Sequence, residues 1–78
     1  MLSPDQVVET YFLEARHQLL EVAALLDRLD AAVAREDRPP GVQAAGKVAV
    51  LRQAITALGV EGSPTDRTVK LLELFASV

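Results

Sequence analysis

Residues Leu2 to Glu36 read LSPDQVVETYFLEARHQLLEVAALLDRLDAAVARE, and this stretch decides the fold class. It opens with a complete helix-start signal. The Ser3 hydroxyl can accept from the third backbone amide of a helix, and Gln6 can reach back to the amide of Ser3, which makes a capping box. Pro4 falls at the first helical position, where a missing N–H costs nothing. Leu2 and Val7 take the two positions of a hydrophobic staple. Asp5 and Glu9 put negative charge at the positive end of the helix dipole, and Arg35 and Arg38 put positive charge at its negative end. From Pro4 to Glu36 there is no glycine and no further proline, while Ala and Leu dominate. The stretch predicts one helix over residues 4–36, about 50 Å long at a rise of about 1.5 Å per residue.

Outward from that helix, two breaks divide the rest. Arg38-Pro39-Pro40-Gly41 is the first, because proline bars helical geometry in the residue before it and cannot donate a helix bond. A second helix is predicted over 42–58. Gly59 suits a left-handed position just past its end, with Val60 folding back on Ile55 in a Schellman arrangement. After Gly59-Val60-Glu61-Gly62, the run Ser63-Pro64-Thr65-Asp66 restarts a helix, with Ser63 as cap, Pro64 at the first position and Asp66 at the third. The third helix is predicted over 64–77. Nowhere do apolar and polar residues alternate for long, so no strand competes, and no internal repeat is present.

The apolar faces carry the next inference. Val8, Phe12, Ala15, Leu19, Val22, Leu26, Leu29 and Val33 alternate four and three apart, the seam of a left-handed helix packing. Tyr11, Leu25 and Ala32 widen it on one flank and Ala23 on the other, which suits a bundle. The second helix offers Ala44, Val48, Leu51, Ile55 and Leu58. Gly46 is costly inside a helix and reads either as weak local design or, the favoured alternative, as close approach of a neighbouring backbone. The third is apolar nearly all round through Val69, Leu71, Leu72, Leu74, Phe75, Ala76 and Val78. A separate patch of Leu13, Leu20 and Ala24 lies on the first helix away from its seam, with His17 among them.

Composition bounds the class. The chain has 78 residues, half of them apolar, which predicts one small helical domain over 1–78. With no cysteine, disulfides, thiolate catalysis and Cys-ligated metal centres are excluded. The longest apolar run, Val22 to Leu26, is far below the roughly 20 residues that span a bilayer. Pro4, Asp5 and Glu9 stand where a secretory leader would begin, so a cytoplasmic location is expected. The net charge of -3 opposes general nucleic-acid binding. It is unevenly shared: seven acids and three basic residues through Glu36, four acids and five basic residues after it. Such surface charges contribute little as pairs.

The expected architecture is an all-α three-helix bundle, one long N-terminal helix and two shorter ones, completed by homodimerisation. The first helix exceeds the roughly 25–30 Å width of so small a domain, and the two shorter helices laid end to end would cover one side of it. Chains this short bury only about 60% of their unfolded surface. Pairing of the first helix with its two-fold mate would cover the surplus. The residues expected at helix-mediated contacts are Leu13, Leu20, Leu71, Leu74 and Val78, on a non-enzymatic protein without a cofactor that binds itself or a helical partner.

Three chemical readings rank below this one. Glu14 and His17 form a Glu-x-x-His pair with Glu21 one turn further, and a dimer would duplicate the set, as in ferritin-like di-iron bundles. These residues lie off the main seam and converge only if the Leu13/Leu20 face becomes the dimer contact. Phosphotransfer at His17 is opposed by its neighbours Arg16, Gln18 and Leu19, which match neither common signature around such a histidine. Ala54 through Leu72, with Arg67, Thr68 and Lys70, loosely resembles a helix-turn-helix, but its turn is long and the chain is acidic.

Overall fold

A computed structural model describes residues 1–62 and 66–78. Its elements are three helices, α1 (Pro4–Glu36), α2 (Val42–Leu58) and α3 (Arg67–Phe75), and the described residues contain no strand. The chain divides into two compact units, Met1–Arg38 and Pro39–Val78.

The first unit is α1 with its two ends. The capping box forms as the sequence predicts: the Gln6 amide donates to Ser3 Oγ at 3.2 Å, and the Ser3 amide donates to Gln6 Oε1 at 2.8 Å. Ser3 itself is extended, with φ -70° and ψ 165°, so the helix begins at Pro4. The stop differs from expectation in its first step. Asp37 turns left-handed, with φ 52° and ψ 43°, before the prolines are reached. Its amide and that of Arg38 both return to the Val33 carbonyl, the latter at 3.3 Å, which satisfies an acceptor the helix end leaves open. Aspartate enters this region more readily than most side chains, because its short polar group can bond locally. Pro39 and Pro40 then prevent any resumption. Glu36 and Arg38 pair at 3.4 Å beside the turn.

The second unit is a helical hairpin in which α2 and α3 pack on each other rather than lying end to end. Its centre is Ala54, 4% exposed and the one buried residue described. Val48, Val50, Leu51 and Ala57 of α2 and Leu71 and Leu74 of α3 are half-buried, while Ile55 and Leu58 are exposed. The packed face of α2 is therefore turned from the predicted one toward Ala54. A small side chain there lets a second helix come close. α2 is apolar on nearly every side, so its periodicity does not select a face.

Three local expectations are corrected. Gly59 is right-handed, with φ -81° and ψ -3°, and no Schellman turn forms there; the left-handed glycine is Gly62 at φ 60°. No atom lies within 4 Å of a Cβ placed at Gly46, so the close approach inferred there is not made. α3 begins at Arg67 instead of Pro64 and ends at Phe75 instead of Ser77. Its cap is Asp66, whose carboxylate accepts from the Thr68 amide at 2.9 Å, so Asp66 precedes the helix rather than sitting inside it. The predicted cap at Ser63 and Pro64 lies outside the described residues. The Arg67 guanidinium donates to the Val60 carbonyl and so ties the start of α3 to the end of the preceding turn.

Candidate functional site

No residue of α1 is fully buried, but Val22, Ala24, Leu26, Leu29, Ala32 and Val33 in its second half are half-buried. Every residue from Met1 through Glu21 is exposed, including Val8, Phe12 and Leu19 of the seam. The patch off the seam is equally open, with Leu13 at 72% and Leu20 at 58%. Two shallow depressions run along this side of the helix. One is lined by Leu13, Arg16, His17 and Leu20, and the other by His17, Leu20, Glu21, Ala24 and Arg28. Both put leucine beside charged residues.

In α3 the predicted contact residues fall on different surfaces. Leu71 and Leu74 are half-buried, while Val78 is exposed beyond the helix end. The open apolar stripe of α3 is instead Val69, Leu72 and Phe75, of which Leu72 is 66% exposed. Both stripes obey helical spacing, so the sequence does not separate them. Only the position of α2 tells them apart. The groove between α2 and α3, about 420 Å³, is lined by Arg52, Gln53, Thr56, Lys70 and Leu74. Two cations there give the hairpin a mildly basic side. The Thr56 hydroxyl donates to the Arg52 carbonyl at 3.1 Å, a back-bond within the helix.

The carboxylate–histidine set of α1 is divided by its own geometry. His17 Nε2 lies 3.2 Å from Glu21 Oε1, one turn on, and both side chains are exposed. Glu14 is turned to the same helix's Gln18, whose Nε2 donates to Glu14 Oε1 at 3.5 Å. Among the described residues no three His, Cys, Asp or Glu side chains come together around a point that could hold a cation. Of the three residues, His17 and Glu21 lie together and Glu14 is turned to Gln18.

The segment compared with a helix-turn-helix departs from that motif. Eight residues separate Leu58 from Arg67, against the three or four of a DNA-reading turn. Arg67, the first cation of the would-be recognition helix, is engaged by the Val60 carbonyl. No helix among the described residues is long and apolar enough to cross a membrane. Compared with protein-family models, with curated proteins and with solved structures, the chain matches none of them.

Proposed function

We propose that this protein acts by association through helix faces, as a non-enzymatic homodimer in which α1 meets its two-fold mate and completes a bundle, in the cytoplasm. The observation that carries the reading is the open apolar surface of α1, a 33-residue helix with Val8, Phe12, Leu13, Leu19 and Leu20 all exposed. Apolar area removed from water contributes about 25 cal/mol per Å². These exposed side chains run along the first half of α1, while Val22, Leu26, Leu29 and Val33 further along the seam are half-buried; a run of that length exceeds the scattered exposed leucines of an ordinary surface. A helical partner protein would satisfy the same faces. A second copy is favoured because it is always present at the concentration of the first, and because small chains commonly gain stability this way.

Sedimentation of the full chain at tens of micromolar tests the proposal. A dimer supports it, and monomer alone at that concentration refutes it. Leu20→Glu and Leu74→Glu then locate the contacts. Loss of association with helix content retained places the residue at an interface, whereas equal loss of both places it in a core.

A cation shared across the dimer by Glu14, His17 and Glu21 is the second reading, favoured by the 3.2 Å approach of His17 to Glu21. Metal analysis of protein purified without chelator tests it. Absence of bound iron, manganese or zinc refutes it.

A further inference from the structure

We propose that the groove between α2 and α3 is a phosphate site, in which Arg52 of one helix and Lys70 of the other grip the same group. The site stands apart from the association reading above, because both of its walls belong to the unit Pro39–Val78.

Helical spacing brings the donors together. Arg52, Gln53 and Thr56 fall within an arc of about 100° on α2. Lys70 and Leu74, one turn apart on α3, line the same groove of about 420 Å³ from the other side. Arg52, Gln53 and Lys70 all end in N–H donors, and no carboxylate is among the lining residues. The Thr56 hydroxyl is turned to the Arg52 carbonyl at 3.1 Å and does not donate into the groove.

The charges of this unit are divided by use. The whole chain is acidic, yet residues 39–78 hold the cations Lys47, Arg52, Arg67 and Lys70 against the carboxylates Glu61, Asp66 and Glu73. Asp66 accepts from the Thr68 amide, and Arg67 donates to the Val60 carbonyl. Arg52 and Lys70 make no ion pair among the described residues. Two such cations turned to one groove repel each other, and an anion between them replaces that repulsion with two attractions.

The shape of the donor set selects phosphate. A carboxylate has two oxygens and is satisfied by one guanidinium fork. A phosphate group has three or more around a tetrahedral centre. The planar fork of Arg52 can take two of them while the Lys70 ammonium takes another from the opposite wall. Half-buried Leu74 offers an apolar surface to the organic part of a phosphate ester. A ligand held from both walls also clamps a hairpin in which Ala54 is the one buried residue described. Binding to the folded unit alone stabilises it by mass action.

The full chain is titrated with inorganic phosphate and, separately, with phenyl phosphate, each against sodium chloride at matched ionic strength. Nuclear magnetic resonance follows the backbone amides and the side-chain N–H groups of Arg52 and Gln53. A saturable shift centred on the groove residues is expected with phosphate and not with chloride. Tighter binding of phenyl phosphate assigns the site to esters, and equal or weaker binding assigns it to the free ion. Arg52→Gln and Lys70→Gln are each expected to raise the dissociation constant about tenfold, the loss of one charge-assisted contact. Lys47→Gln, on α2 but outside the groove lining, should leave it unchanged. Circular dichroism checks that the variants keep their helices. Shifts that never saturate, or that chloride reproduces, overturn the site. A loss in Arg52→Gln that Lys70→Gln does not share overturns the grip from two walls.

Discussion

Phe12 is the largest side chain of the α1 seam, and its removal should weaken the dimer by a calculable amount. It is 58% exposed. An aromatic side chain buries about 150–250 Å², so covering that fraction removes about 100 Å² from water in each copy. At about 25 cal/mol per Å² this is about 2.5 kcal/mol per chain, of which Phe12→Ala forfeits about 2 after the retained Cβ. The interface contains the residue twice, so the loss is about 4 kcal/mol per dimer, and at about 1.4 kcal/mol per decade the dissociation constant rises roughly a thousandfold. Ordering costs at the interface lower the yield from area, which makes this the upper figure. The assay is sedimentation equilibrium over a dilution series, with circular dichroism on the same samples. Alanine has a higher helix propensity than phenylalanine, so any fall in helix content at low concentration reports lost association rather than lost propensity. Val42→Ala, at the first residue of α2, serves as the control and should leave the constant unchanged. A shift below about tenfold for Phe12→Ala would refute the assignment of the seam to the interface, since about 1.4 kcal/mol is too little for two buried aromatic rings.

Other substitutions test the local structure. Gly46→Ala should stabilise the second unit by about 1 kcal/mol in a urea titration, because the new Cβ meets nothing within 4 Å; destabilisation would reveal a close neighbour at that face. Ser3→Ala removes the acceptor of the Gln6 amide and should cost about 1 kcal/mol of helix stability, seen as faster amide exchange at the start of α1 with little change at its far end. Asp37→Gly relieves a non-glycine left-handed residue at φ 52° and is expected to be neutral or stabilising by up to about 1 kcal/mol in thermal melts. Gly62→Ala should act in the opposite sense, losing about 1 kcal/mol, because φ 60° is strained for any side chain.

At the ends of α1, what is decided by neighbours in the chain could largely be read in advance. The capping box at Ser3, the proline at the first helical position, the uninterrupted α1 and the stop before Pro39 depend on hydrogen bonds and torsions spanning a few residues. The amino acids at those positions have few alternatives. Asp37 shows how narrow the remaining error was. The signal was present, an aspartate just ahead of two prolines, but the prolines drew the break one residue late. At Gly59 the same kind of rule misled, because a glycine permits a left-handed turn without requiring one, and Gly62 took that role instead.

What only the tertiary structure decided was the choice of face. α2 carries Val48, Leu51, Ile55 and Leu58 on one stripe and Val50, Ala54 and Ala57 on the next, and both are apolar, so no periodicity separates them. In α3 the stripe of Leu71 and Leu74 competes with that of Val69, Leu72 and Phe75 on equal terms. Hydrophobic burial is non-directional and scales with area. Where a short helix is apolar all round, its own residues therefore leave open which side turns inward, and the packing of α2 against α3 around Ala54 makes that choice.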